Sequence, residues 1–211
     1  MTEYSQSDER LCTALVTNLE SGFEALVLAY QHRLYGFALR LSGNAEDAEE
    51  IAQDAFVRAY RALSTYTPPQ TATLRLRPWL FQIALNVFRN RIRGAAKPPQ
   101  QVPLDTSGEG DLLDRWIAGV SDQPEQAVIN SEGERLLTQL ISALPEHFRI
   151  AIVLRHIEGL SYTEMAALLG QPAGTLKAHV HRGVKQLRVA LDSPSPRSPY
   201  SSSRAAMSEV R

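Results

Sequence analysis

The stretch "YTEMAALLGQPAGTLKAHVHRGVKQLR", Tyr162–Arg188, decides the fold of the second half of the chain. It holds a short apolar-spaced segment, a break from Gly170 to Gly174, and a basic segment. Just upstream, Ser161 and Glu164 have the S-x-x-E spacing of a capping box, in which hydroxyl and carboxylate satisfy each other's free backbone N–H groups. Leu160 and Met165 flank it as a hydrophobic staple. Together they predict a helix start at Ser161. Met165, Ala166 and Leu169 share one face, and Gly170, free to take a positive φ, predicts the helix end. In the next segment Leu176, Val180, Val184 and Leu187 form one stripe. Thr175, Ala178, Arg182 and Lys185 fall on the opposite side, and His181 lies between Lys185 and the edge of the stripe. A helix held by that stripe presents a basic face outward, the form required of a helix in the major groove. Lys and Arg there pair with phosphates or guanine edges. The competing reading is a solvated basic face on an ordinary core helix.

The charge distribution bears on that choice. The chain has 211 residues and a formal net charge of -1, which by itself argues against a polyanionic partner. From Thr71 to Lys97, however, stand Arg75, Arg77, Arg89, Arg91, Arg93 and Lys97 with no acidic residue. From Gly174 to Arg188 stand Lys177, Arg182, Lys185 and Arg188, again with none. The acidic stretch from Asp105 to Glu134 separates the two. Two basic patches held apart in this way suit contact with one polyanion at two places. Cys12 is the sole cysteine, so an intrachain disulfide and a CxxC redox or metal pair are excluded. His179 and His181 form an H-x-H pair without further ligands, and no metal is expected there. The N-terminus is polar and no apolar run is long enough to span a bilayer, so a cytoplasmic protein is expected.

The rest of the chain reads as helices in two blocks. Phe23, Leu26, Val27, Tyr30, Leu34, Phe37, Ala38 and Leu41 make a helical stripe ending near Gly43. Asn44 is a plausible N-cap for the next helix, whose apolar positions run from Ala48 to Leu63 at i, i+3, i+4 spacing. Its other face carries Glu46, Asp47, Glu49, Glu50, Gln53, Asp54, Arg58 and Arg61, read as an exposed docking surface for a basic partner. "STYTPPQTATLRLR", Ser64–Arg77, reads as a loop, with Pro78 at the first position of a third helix. Exposed aromatics beside arginines bind unstacked bases, although Trp79 sits on the apolar stripe and reads as core. Block one spans 10–95, a linker 96–123, and block two 124–190. Leu112–Val120 has the spacing of a short helix, and the Ser/Pro-rich tail 191–211 reads as disordered. The fold class is all-α, with two small helical domains joined by a flexible linker and a helix-turn-helix in the second.

Four segments in this order, "DAEEIAQDAFVRAYRAL", "RPWLFQIALNVFRNRIR", "LPEHFRIAIVLRHIEGLSYTEMAALLG" and "PAGTLKAHVHRGVKQLR", resemble the bacterial RNA polymerase sigma factors. The likeness is to the extracytoplasmic function (ECF) type, which keeps only regions 2 and 4. The resemblance implies that Asp47, Glu50, Gln53, Asp54 and Arg58 bind core RNA polymerase at the β′ clamp, with further contacts to the β subunit. It implies that Thr65, Tyr66, Arg75, Arg77, Asn86, Arg89 and Arg93 bind and melt the −10 element. Thr175, Lys177, His181, Arg182 and Lys185 are then the −35 contacts. It also implies an anti-sigma partner, which would hold the protein in the cytoplasm or indirectly at the membrane, and otherwise an association with promoter DNA in the nucleoid. The family commonly has Arg where this chain has Gln82, Leu85 and His179, so two positive charges are expected to be missing near the melting element.

No nucleotide-binding loop, nucleophile or metal cluster is visible, so no enzyme activity, cofactor or small-molecule substrate is expected. The alternative function is a stand-alone helix-turn-helix regulator binding an operator. Block one separates the two, because an operator-binding protein has no need of an acidic docking face.

Overall fold

The computed structural model describes residues 3–95 and 132–192, all helices and short connections. Block one contains α1 (Glu3–Thr17), α2 (Leu19–Ser42), α3 (Ala45–Thr65), α4 (Pro68–Ala72) and α5 (Leu76–Ala95). Block two contains α6 (Glu132–Ser142), α7 (Glu146–Ile152) with a π-helical turn over Val153–Ile157, α8 (Tyr162–Leu169) and α9 (Ala173–Asp192). The linker reading, the helix expected at 112–120 and the tail lie outside the described residues.

The second helix ends as its sequence predicts: Gly43 takes φ 75° and its N–H bonds back to the Leu39 carbonyl. Asn44 then caps α3, its side chain accepting the Glu46 N–H at 2.9 Å. The apolar side of α3 turns inward, with Ile51, Ala55, Phe56 and Ala59 buried against α2. Phe23 meets Phe56 and Tyr60 edge-on, and Phe37 packs on Phe81 of α5. Each such large side chain removed from water contributes about 1.5–3 kcal/mol.

Two elements differ from expectation. The sequence carries few periodic apolar residues before residue 19, yet α1 is a full helix. Cys12 and Leu15 bury against α2 and the loop, and Tyr30 Oη donates to Asp8 Oδ1 at 2.6 Å. The Ser64–Arg77 segment is not a plain loop. It contains α4, where the Thr67 N–H donates to the Gln70 side chain at 2.8 Å. The α5 helix begins two residues early, at Leu76, and Pro78 sits inside its first turn. That position is tolerated because the first N–H groups of a helix have no intrahelical acceptor.

The two blocks pack against each other and share one apolar cluster, to which block two contributes Ile141, Ile150, Leu154, Leu160, Met165 and Leu168. Polar contacts frame it. Arg149 donates to the Leu41 carbonyl, Arg33 Nη2 bonds Glu158 Oε2 at 3.2 Å, and Arg77 donates to the Glu158 carbonyl. Ser142 lies against the Gly43 turn, about where a Cβ on Gly43 would reach (2.9 Å).

Candidate nucleic-acid interface

The helix-turn-helix forms as its local chemistry requires. Ser161 Oγ accepts the Glu164 N–H at 3.2 Å, and Glu164 Oε2 accepts the Ser161 N–H at 2.7 Å. Gly170 takes φ 65° and its N–H returns to the Ala166 carbonyl at 2.9 Å. Met165 and Leu168 are the buried residues of α8, and Ala166 and Leu169 pack half-buried against the same core, so Leu168 joins the face the spacing predicts. In α9, Leu176, Val180 and Gly183 are buried, with Val184 and Leu187 packed at their margin. A Cβ on Gly183 would stand 2.6 Å from Ile152 Cδ1 and 3.2 Å from Phe148 Cβ, so α9 approaches α7 as closely as a glycine allows.

That close packing fixes which side of α9 faces water. Thr175, Lys177, His181, Arg182 and Lys185 are all exposed, on one continuous surface. Among the described residues, no carboxylate pairs with Lys177, Arg182 or Lys185. His179, by contrast, turns toward the start of α7, its ring 5.0 Å from His147 and 5.7 Å from Phe148. Burial, the His147 ring and the Arg182 charge hold its pKa below the usual histidine value. The histidine standing where the family commonly has Arg therefore packs beside α7 and is set apart from the exposed basic row.

On α5 the expected −10 residues fall into two groups. Gln82, Asn86, Arg89 and Arg93 recur at i, i+4, i+7 and i+11 and form one stripe, with Asn86 and Arg93 exposed. Arg89 Nε lies 3.6 Å from Glu146 Oε1 of block two. Arg75, at the start of the helix, pairs with Glu164, and Arg77 is engaged by the Glu158 carbonyl. Thr65 is exposed, whereas Tyr66 is half-buried and its Oη accepts from Trp79 Nε1 at 3.2 Å. Leu85 corrects a sequence expectation. It is 1% exposed within the core of block one. A leucine there fills the interior and removes no charge from a DNA-facing surface; only Gln82 lies on the exposed side.

The acidic face of α3 is organised by partners of its own. Arg91 Nε bonds Asp47 Oδ1 at 2.9 Å and its Nη1 bonds Glu50, while Arg58 forms a bidentate pair with Asp54 one turn away. Hydrogen bonding to Glu50 leads the effects that raise the Arg91 pKa, opposed by slight burial and reinforced by Asp47. Gln53 donates to Glu49 at 3.3 Å. Sequence reading placed Arg91 in the basic run but not on this face; the link spans two helices that are distant in sequence, and no local pattern announces it.

Glu158 was missed altogether. It is 2% exposed at the end of the π-helical turn, where its N–H bonds the Val153 carbonyl at 2.9 Å. Burial pushes its pKa up, against the opposing charges of Arg33, Arg77 and Arg40. Among the described residues there is no cluster of His, Cys, Asp and Glu suited to a metal ion, and no helix long and apolar enough to cross a membrane.

Comparison with known proteins agrees with this arrangement. Residues 26–97 match the model of Sigma-70 region 2, and residues 134–187 match that of Sigma-70, region 4. The chain is 33% identical to the RNA polymerase sigma-H factor of Pseudomonas aeruginosa, over 88% of this chain and 94% of that protein. It is 34% identical to the ECF RNA polymerase sigma factor SigW of Bacillus subtilis, over 82% of this chain and 90% of the relative. Among solved structures, CnrH in complex with the cytosolic domain of CnrY aligns with a TM-score of 0.60 at 24% identity, covering 90% of this chain and 99% of that one. The sigma factor RpoE in complex with the anti-sigma factor NepR, from Bartonella quintana, gives 0.55 at 24% identity, covering 81% and 97%. Two helical domains in this order, a capped helix-turn-helix with an outward basic row, and relatives matched over nearly their whole length lead to one assignment: the chain belongs to the ECF family of RNA polymerase sigma factors.

Proposed function

We propose that this sigma factor docks on the core polymerase through α3, engages and melts the −10 element with α5 and the segment before it, and reads the −35 element with α9. The observation that carries the reading is the exposed basic row of α9. Packing at Gly183 fixes its orientation, and no carboxylate among the described residues neutralises it. Phosphates and guanine edges are the natural partners of such a row. Asp47, Glu50, Gln53, Asp54 and Arg58 supply the polymerase contact, at the β′ clamp. Thr65, Tyr66, Arg75, Arg77, Asn86, Arg89 and Arg93 supply the −10 contact, Tyr66 in concert with Trp79. The work is divided between block one, read as 10–95 and extended in the structure by the start of α1, and block two, read as 124–190, with the linker 96–123 threading toward the polymerase active centre and RNA exit path and the β subunit supplying further contacts. The protein acts by binding rather than by catalysis and works in the cytoplasm on the nucleoid. An anti-sigma partner is supported by the solved complex of RpoE with NepR. The test is capture of core polymerase by the tagged chain, followed by runoff transcription from a library of genomic fragments. Specific start sites with a shared −35/−10 pair are expected; capture of operator DNA without polymerase would favour a stand-alone regulator.

A further inference from the structure

The start of α5 is one hydrogen bond short, and α1 supplies it. The Trp79 N–H donates to the Arg75 carbonyl at 3.1 Å, the first rung of the α5 ladder. The rung before it would run from residue 78 to the Leu74 carbonyl, and Pro78 has no N–H to give. The Leu74 carbonyl accepts instead from the thiol of Cys12, at 3.4 Å and 62 positions earlier in the chain. We infer that Cys12 is a positioning residue for the −10 contact: its S–H replaces the N–H that Pro78 lacks and so fixes the backbone from Thr73 to Arg75 that leads into α5. This rests on the −10 reading of Arg75 and α5 given above; Cys12 itself takes no ligand and does no chemistry.

The thiol stands on a fixed support. A Cβ on Gly22 would lie 2.5 Å from Leu15 N and 2.7 Å from the Ala14 carbonyl carbon, so α1 rests on α2 at a distance that only glycine permits. One turn before Cys12, Asp8 accepts from Tyr30 Oη at 2.6 Å. Burial, with the charges of Asp8 and Glu9 behind it, pushes the Cys12 pKa up, so the thiol keeps its proton and can donate. The segment it meets is thinly held. The Thr73 N–H donates to the Pro69 carbonyl at 3.3 Å and the Leu74 N–H to the Thr71 carbonyl at 3.2 Å, which ties the segment back to α4 and not forward to α5. A cleft of about 410 Å³ opens beside it, lined by Asp8, Glu9 and Cys12 of α1, by residues 72–78 and by Glu164. The Arg75 side chain is 68% exposed, and its pair with Glu164 adds little at that exposure. A thiol is a weak donor. A part-buried carbonyl left without any donor nevertheless costs more than the bond itself contributes, so the contact decides where the segment settles.

The test is a double-mutant cycle in the full chain. C12A removes the thiol donor, and P78A returns an N–H to residue 78, where it can serve the Leu74 carbonyl from within α5. C12A should raise amide hydrogen exchange over residues 73–76. In the holoenzyme assembled with core polymerase it should also lower affinity for a single-stranded oligonucleotide, cut from the −10 region of a promoter found by runoff transcription, by about fivefold, the loss of one modest hydrogen bond. Binding of the −35 duplex should not change. P78A alone should change little, and C12A/P78A should bind the −10 strand within about twofold of P78A. C12V, which fills the space without a donor, should behave as C12A; C12S, a donor of shorter reach, should lie between C12A and wild type. Lost packing alone predicts the reverse order, with C12V spared and no repair by P78A, and that result overturns the positioning role. So does unchanged exchange in C12A. Raised exchange with unchanged −10 affinity, in a holoenzyme that N86A and R93A do weaken, overturns the link to strand contact. If N86A and R93A leave −10 binding untouched as well, the −10 reading of α5 has failed, and the strand-contact role of Cys12 fails with it.

Discussion

The polar faces of α3 and α9 are organised in opposite ways. The α3 face reaches solvent with its charges already matched: Asp47 and Glu50 are held by Arg91, and Asp54 by Arg58. The α9 face is bare, with Lys177, His181, Arg182 and Lys185 exposed and no carboxylate bridging to them among the described residues. A face prepared for a protein partner can exchange one set of ion pairs for another, which limits desolvation cost and favours specificity over raw strength. A face prepared for DNA gains mainly by releasing the counterions of the duplex, so internal partners would only compete. On this reading, polymerase binding through α3 is less salt-sensitive than promoter binding through α9.

The comparison breaks most easily from behind α9. G183V drives a branched side chain into Ile152 and Phe148, and should cost block two about 3 kcal/mol. Thermal unfolding and loss of −35 duplex binding would report it, and polymerase capture through α3 should survive. D47K/E50K/D54K attacks the matched face directly. It should weaken core polymerase binding by about 2 kcal/mol while leaving helicity unchanged, since exposed charges contribute little to folding. Fluorescence titration with core enzyme checks it, and an unchanged affinity would remove α3 as the docking face. R182A should cost about 1–2 kcal/mol on the preferred −35 sequence and relax preference at one position. Titration against a set of single-base substituted −35 duplexes tests this. K177A should have the smallest effect, lowering binding to all sequences alike and reducing the slope of log affinity against log salt by about 1. Identical profiles for R182A and K177A would mean that the reading side of α9 has been misplaced.

What the sequence disclosed follows the range of the interactions involved. Ser161, Glu164 and Gly170 act on backbone within four residues, so both ends of α8 could be read directly. The period of the α3 stripe needed only that an interior exist. Glu158 is of the other kind. Nothing in "RHIEGL" says that its glutamate will be buried at the end of a π turn, because the guanidinium it meets there, Arg33, lies 125 positions away. Leu85 and Arg91 repeat the lesson on α5: on the same helix, one fills the core of block one and the other reaches across to α3. The α1 helix escaped notice because its inward residues, Cys12 and Leu15 among them, are too few to mark a period, and its tie to α2 runs through Asp8 and Tyr30. Arg77, Asn86, Arg89 and Arg93 could be placed on one helix from its period, but the engagement of Arg77 and Arg89 by block two belongs to the packing of the domains.

The side chain of Glu164 divides its duties between its oxygens: Oε2 bonds Ser161, while Oε1 bonds Arg75 of the other block. Burial raises its pKa, but the Ser161 hydrogen bonds and the charges of Arg75 and Arg77 outweigh that and bring it below the usual carboxylate value. Losing Arg75 therefore leaves the Ser161 contacts in place, and α8 does not have to fray for the blocks to part. The cap that starts α8 is therefore complete within block two, and the Arg75 pair adds to it without being needed for it.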